Sequence, residues 1–405
     1  MKILAIPYTH TLSHVSRPLL VARELKRQGL DVVFAGSGPQ ARFIKDEGFD
    51  LLPLYEPDPG MLFGNIRKGN LRFVPDSEIE RMVEADLAIY KEVRPAMVLT
   101  DGRFSAAISA QIAKVQHSAI VNASSTEYRA LPYIPFFSRI PGVMRAGGVG
   151  RALDSINLKV EMLVFDNVMG VFKRLSNKYR LRRRVTATNC LCGADLTLLA
   201  DIPEYFPTRN LPADYHYIGP LTLKSSMPAP AWWPPDPSRP LVYITMGTTG
   251  MGEFFRSAAE LFRGKDMTAV ITTGAQASIG ATPENVHVEP YMDGDMVAKR
   301  SDLVVCHGGN GTIYQALEHG RPIIGLPTIP DQEFNMRRVE ALGAGKALSW
   351  ERFRKDPSTL MAFIDEVSAD VRYSQSALAV KKILGGYDAP VSAASLILKS
   401  LGGNR

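Results

Sequence analysis

The chain has 405 residues, 45% of them hydrophobic and 22% charged, with 47 Lys and Arg against 41 Asp and Glu. That length allows two domains with cores of their own, and the balance excludes a disordered or collagen-like chain. No cleavable leader and no run of about 18 apolar residues is evident, and Cys190, Cys192 and Cys306 cannot build a disulfide framework, so the expectation is a protein of the reducing cytoplasm that neither spans a membrane nor is secreted.

In chain order, Lys2 to Tyr8 reads as a first buried strand and Thr9 to Ser13 as a polar loop. A helix opens at Ser16 or Pro18 and runs to Gln28, with Leu19, Leu20, Ala22 and Leu25 spaced for one buried face. Gly29 ends it, and Asp31 to Ala35 is the second strand. Helix Pro39–Glu47, strand Leu51–Leu54 and helix Glu78–Val93 follow, then strand Ala96–Thr100, helix Phe104–Ala113 and strand Ser118–Val121. Such alternation with short loops predicts a parallel, doubly wound α/β domain.

From Ser124 to Arg184 the pattern loosens. Leu131 to Phe137 is an apolar loop broken by prolines, and Leu153 to Leu175 is an apolar, basic helical region. Between Phe137 and Arg184 the net charge is about +8, more than the excess of +6 on the whole chain. A solvated face is the plain reading; attraction to an anionic membrane surface or an acidic partner is the functional one. No nucleic-acid recognition motif accompanies the charge, so a nucleic-acid partner is not expected. Cys190-x-Cys192 lacks a second ligand pair and is not read as a metal site.

Strands return at Leu196–Ala200 and Tyr215–Ile218, and the proline-rich stretch Leu223–Pro240 reads as a linker. The expected domains are 1–222 and 241–388, with 389–405 as a C-terminal helix packing back on the first domain. In the second, Leu241–Thr245 runs into Met246-Gly247-Thr248-Thr249-Gly250-Met251-Gly252 and a helix to Arg263; Thr268–Thr272 and Val286–Glu289 are strands. Asp302–Cys306 is a further strand that ends in His307-Gly308-Gly309-Asn310-Gly311-Thr312. A helix follows until Gly320, then strand Pro322–Leu326 and a loop delivering Asp331 and Gln332.

Glycines let backbone approach a ligand, and the unused N–H groups of a helix start favour an anion. Gly247 and Thr248 on one turn, and His307, Gly309, Asn310, Gly311 and Thr312 on the next, suit a diphosphate held from two sides. Asp331 and Gln332 can bond hydroxyls. Phosphate with hydroxyls indicates a nucleotide sugar. In the first domain, His14 follows the first strand and Asp101 ends another. An Asp on one ring nitrogen would fix the His tautomer and leave the other nitrogen to take a proton. His10 is a rival base. Asp293-Gly294-Asp295 resembles a DxD metal motif, but a helix N-cap is the favoured reading, and no metal or cofactor is expected.

The block His307, Gly309, Thr312, residue 315, Asp331-Gln332, with Asn335 behind, resembles the donor signature of the UDP-glycosyltransferase superfamily, the family 1 glycosyltransferases of GT-B fold, in particular the bacterial macrolide and carotenoid types. Ser13 to Ala35 and Pro95 to Asp101 resemble the same family's first strand–His–helix unit and next signature. The resemblance covers both domains and is weakest from about 125 to 190. It implies two Rossmann-like domains facing across a cleft. It implies His14 as general base with Asp101 as its partner, and diphosphate contacts from His307, Gly309, Gly311 and Thr312. Tyr291 would stack on the base, Gln315 would bond the ribose, and Asp331 and Gln332 would bond the donor sugar. Gln315 stands where the family has Glu, and Gly294 where it has a base-contacting Gln. The expected activity is inverting, metal-independent transfer from a UDP- or dTDP-sugar to a hydroxyl of a lipophilic acceptor, with peripheral membrane contact through 137–184. Two alternatives are a non-catalytic nucleotide-binding partner subunit and a sugar-nucleotide epimerase on the same fold.

Overall fold

The central strands are short, apolar and buried on both faces, as parallel sheets covered by helices require, and the edge strands are half-buried. The computed structural model describes residues 1–134, 148–224, 227–247 and 252–402. They form two units: Met1–Leu223 with Tyr387–Arg405, and Lys224–Gly386.

Unit 1 contains β1 (Lys2–Pro7), α1 (Leu12–Arg27), β2 (Asp31–Ala35), α2 (Arg42–Asp46), β3 (Leu51–Leu52), α3 (Pro59–Arg67), α4 (Asp76–Val93), β4 (Met97–Asp101), α5 (Ala106–Ala113), β5 (Gln116–Val121), α6 (Gly148–Val168), α7 (Val171–Lys178), β6 (Leu196–Leu199) and β7 (Tyr215–Tyr217). All seven strands are parallel, in the order β3-β2-β1-β4-β5-β6-β7. The order reverses between β1 and β4, and a crevice for ligands opens at such a switch point.

The helix α1 begins earlier than its proline suggests. Leu12 opens it and Pro18 lies inside, so His14 sits in the first helical turn and not in a loop. Pro18 has no N–H to give the His14 carbonyl, a bond the helix forgoes. Gly29, at φ +83°, closes α1: its N–H bonds Lys26 O and the Leu30 N–H bonds Leu25 O, a Schellman closure. β3 is shorter than expected because the Leu54 N–H bonds Ser37 Oγ and leaves the ladder. The helix α3 had no periodic signal, but Asp58 caps it by accepting from the Met61 N–H at 2.7 Å, with Pro59 in the first helical position.

Unit 2 contains β8 (Leu241–Thr245), α8 (Gly252–Glu260), β9 (Thr268–Thr272), β10 (Val286–Glu289), α9 (Gly294–Arg300), β11 (Leu303–Cys306), α10 (Asn310–Glu318), β12 (Ile323–Gly325), α11 (Pro330–Ala341), β13 (Gly345–Ala347), α12 (Trp350–Lys355), α13 (Ser358–Ala369) and α14 (Val371–Leu384). Its parallel sheet runs β10-β9-β8-β11-β12-β13, with the switch point between β8 and β11. The proline-rich stretch belongs to this unit. Trp232 stacks on His287 with ring centroids 4.2 Å apart, and its Nε1 donates to Glu289 at 2.8 Å.

The last helix, α15 (Ala389–Gly402), returns to unit 1. Ala393, Ala394, Ile397 and Leu401 share a core with Val15, Leu19 and Ala22 of α1. All three cysteines are buried and free. Among the described residues, no helix is long and apolar enough to cross a membrane.

Candidate active site

The switch point of unit 1 gathers the ends of β1 and β4. Asp101 is the last residue of β4 and is 1% exposed. His14 reaches it from α1, with Nδ1 2.6 Å from Asp101 Oδ1. That contact leaves Nε2 as the nitrogen available to a substrate. Gly102, at φ +78°, follows directly. A Cβ there would lie 3.1 Å from Tyr8 and 3.2 Å from the His14 ring, so the close approach requires glycine.

Arg17, one turn after His14 on the same helix face, completes the cluster. Its Nη2 donates to Asp101 Oδ1 at 2.6 Å and its Nε to Oδ2 at 2.7 Å. Its Nη1 donates to Asn122 Oδ1, just past β5. The sequence reading missed Arg17 and Asn122. The i, i+3 spacing from His14 was the available signal. His10 has no acidic partner among the described residues; its ring lies tilted against Tyr8, centroids 5.2 Å apart. The loop before α1 is pinned by Glu56, which accepts from the Thr9 N–H at 2.6 Å, the Ser37 N–H at 2.8 Å and the Thr9 hydroxyl.

Unit 2 has its own rim at the ends of β8 and β11. His307, directly after β11, is 8% exposed, and burial pushes its imidazole down to about 4, so the ring is neutral near pH 7. Its Nδ1 is buried without a hydrogen-bond partner among the described residues. The ring is wedged between two glycines: a Cβ on Gly247 or on Gly309 would come within 2.6 Å of it. Asn310, Gly311 and Thr312 form the first turn of α10, whose backbone N–H groups the helix's own ladder cannot use. Thr248 lies outside the described residues.

Tyr291 is half exposed, and its hydroxyl donates to Gly274 O at 3.2 Å. Gln315 on α10 lies against the backbone of Gly294; a Cβ there would be 2.7 Å from Gln315 Oε1. Asp293 caps α9, accepting from the N–H groups of Asp295 and Met296 at 3.0 and 3.4 Å. Asp295 pairs with His319 Nε2 at 2.8 Å. Asp331 and Gln332 stand in the first turn of α11, not in a preceding loop. Gln332 is 3% exposed and its Oε1 accepts from the Thr328 N–H and hydroxyl, which leaves its Nε2 as the group for a ligand. Asn335, fully buried, donates to Gly308 O at 2.9 Å and ties α11 to the His307 turn.

The His307 wedge gives a local prediction. Gly309 has φ −74°, so alanine there carries no backbone strain and acts only by displacing the ring. Gly309→Ala is expected to weaken nucleoside diphosphate binding roughly tenfold, about 1.4 kcal/mol. Calorimetric titration measures this, and unchanged affinity in a normally folded variant would remove the ring from the site.

Residues 261–390 match the family model of the erythromycin biosynthesis protein CIII-like C-terminal domain. Over 389 residues the chain is 30% identical to the "PGL/p-HBAD biosynthesis rhamnosyltransferase" of Mycobacterium bovis (strain BCG / Pasteur 1173P2), covering 95% of this chain and 84% of the relative. Its fold is similar to that of CalG4, the calicheamicin glycosyltransferase, at TM-score 0.76 and 18% identity over 99% of this chain and 98% of that one. The spinosyn rhamnosyltransferase SpnG complexed with thymidine diphosphate aligns at TM-score 0.71 and 16% identity, covering 98% of this chain and 100% of that one. With two parallel-sheet Rossmann-like units and that identity along nearly its whole length, the chain belongs to the UDP-glycosyltransferase superfamily, as a family 1, macrolide-type glycosyltransferase of GT-B fold.

Proposed function

We propose that this glycosyltransferase moves a sugar, with inversion and without a metal ion, from a nucleoside diphosphate to a hydroxyl of a lipophilic acceptor. The observation that carries the reading is the 2.6 Å contact of His14 with the buried Asp101. His14 Nε2 takes the acceptor's hydroxyl proton as the oxygen attacks the anomeric carbon opposite the diphosphate. The anomeric carbon–phosphate oxygen bond breaks, and its electron pair leaves with the diphosphate. Asp101 stabilises the imidazolium that forms. One displacement inverts the configuration.

Unit 2 is the donor side in this reading. The first turn of α10 and the backbone at Gly247 offset the charge of the departing diphosphate, with His307 beside them. Asp293 and Asp295 are engaged in capping and with His319, which favours metal-independent chemistry. Tyr291 stacks on the base, and Asp331 with Gln332 Nε2 bonds the sugar. A neutral Gln315 suits a deoxyribose, which offers one ring hydroxyl where ribose offers two. The relative named a rhamnosyltransferase and the neighbour holding thymidine diphosphate support the same choice, a dTDP-deoxysugar.

The acceptor side is apolar. Ile156, Val160, Leu163 and Val164 form an exposed stripe along α6, at 55%, 52%, 63% and 41% exposure, and the exposed Ile134 accepts at its carbonyl from Asn157 Nδ2 of the same helix. Nearby in the chain, Lys173, Arg180 and Arg184 are exposed and form no ion pair among the described residues. An apolar helix face with cations next to it suits a glycolipid precursor presented at an anionic membrane surface. Incubation with dTDP-rhamnose or UDP-glucose and an alkyl phenol, with and without EDTA, tests the chemistry. Diphosphate release that is EDTA-resistant and a product of inverted anomeric configuration are expected; retention would overturn the mechanism. Co-sedimentation with liposomes should rise with anionic lipid content, and indifference to that content would remove the membrane contact.

A further inference from the structure

We propose that Asn335 is a positioning residue that joins the Asp331 carboxylate to the diphosphate turn at Gly308, so that the sugar and the diphosphate of the donor are held by one rigid piece. This rests on the reading of Asp331 as a ligand of the donor sugar. The Asn335 side chain is fully buried on the second turn of α11. Its Nδ2 donates to Gly308 O at 2.9 Å and to Asp331 Oδ2 at 3.3 Å. Asp331 stands four residues earlier on the same helix, hence on the same face, and is exposed. A carbonyl and a carboxylate can only accept, so the two hydrogens of one amide nitrogen serve both.

The two ends of this link differ in freedom. Gly308 lies directly on α11: a Cβ there would come 3.0 Å from Met336 Cγ and 3.1 Å from Gln332 O. Met336 and Asn335 are both fully buried in close-packed surroundings, so this end is fixed. An exposed carboxylate samples several rotamers unless a fixed group holds it, and for Asp331 the buried amide is such a group. The position suits asparagine. Aspartate has the same shape but would set a carboxylate against a carbonyl and a second carboxylate. Serine has one hydrogen to give, and lysine would bring a charge to a fully buried site. Sugar recognition at Asp331 and diphosphate recognition at the His307–Gly308 turn are therefore not independent, and loosening the amide loosens both.

Calorimetric titration of the full chain, without acceptor, gives the dissociation constants of dTDP and dTDP-rhamnose, with UDP and UDP-glucose as a second pair. The ratio within a pair isolates the sugar. Asp331→Ala is expected to move that ratio against the sugar nucleotide by roughly tenfold. Asn335→Ala moves it the same way by about three- to tenfold, and weakens the nucleoside diphosphate itself by about threefold through the Gly308 turn. In the double variant the ratio stays within about twofold of Asp331→Ala alone, because the amide reaches the sugar only through that carboxylate. A general loss of structure would multiply the two effects instead. Asn335→Ser, a smaller change, carries the same test where Asn335→Ala does not fold. Effects that multiply in the double variant, or unchanged dTDP and UDP affinity in the Asn335 variants, overturn the inference. A ratio that moves in Asp331→Ala and not in the Asn335 variants overturns it alone; a ratio unmoved by Asp331→Ala in both pairs overturns the sugar reading with it.

Discussion

Replacing His14 by Ala is expected to lower kcat by roughly 10²–10⁴-fold and to leave nucleoside diphosphate affinity unchanged. Asp101, at 1% exposure, has both oxygens engaged by His14 and Arg17, so the ring is held with Nδ1 on the carboxylate and Nε2 is the nitrogen left over. Neither His10 nor His117 is placed to substitute. His10 lacks an acidic partner among the described residues. His117 is fully buried, pushed down to about 4 by burial, with its ring nitrogens 2.8 Å from Thr100 Oγ1 and 3.1 Å from the Ala194 N–H. Steady-state kinetics beside calorimetric titration with dTDP and UDP measure both parts. A variant with near-normal kcat would remove His14 from the chemistry, and one with weakened dTDP and UDP binding would show that the ring contributes to donor binding.

Asp86→Ala is expected to lower stability by about 3–5 kcal/mol, the cost of stranding a buried charge. Asp86 is fully buried on α4, and Arg103, 3% exposed, follows Asp101 by two residues. The Arg103 Nε and Nη2 donate to Asp86 Oδ1 at 3.0 and 2.7 Å; Ser105 and Ser109 donate to Oδ2 at 2.6 and 2.7 Å. Arg103 Nη1 also donates to Tyr55 O at 2.6 Å. Removing the carboxylate leaves a buried guanidinium and the Ser105 hydroxyl short of an acceptor, while the Ser109 hydroxyl keeps Ser105 O at 3.1 Å. Denaturant unfolding of unit 1 reports the loss. The exposed Arg263–Glu260 pair on the surface of unit 2 is the control: its removal should leave the unfolding curve nearly unmoved. Equal effects at the two sites would show that the Asp86 network is not what holds α4 to the β4–α5 turn.

How legible the site was in the sequence depended on the range of the signal. The turn at His307 to Thr312 was visible because everything it needs is local: an apolar strand, glycines and an amphipathic helix stopped by Gly320. The role of its glycines was not. A phosphate was the apparent reason for Gly247 and Gly309, yet both also make room for the His307 ring, and Gly247 is far from that ring in the chain. The start of α1 was misplaced because Pro18 resembles a first-turn proline, whereas core contacts of Val15, Leu19 and Ala22 hold the helix across it.

Periodicity of apolar residues fixed the parallel α/β class, the order of strands along the chain, and the strand ends that His14, Asp101, His307 and Asp331 occupy or follow, because burial on both sheet faces is written in windows of a few residues. Partnership between polar groups was settled elsewhere. Arg17 meets Asp101 across 84 residues, Arg103 meets Asp86 from the β4–α5 turn, and Gln332 gives its Oε1 to Thr328. A buried donor must find an acceptor, but which one it finds follows from the order in which strands lie side by side, and that order is a property of the folded sheet.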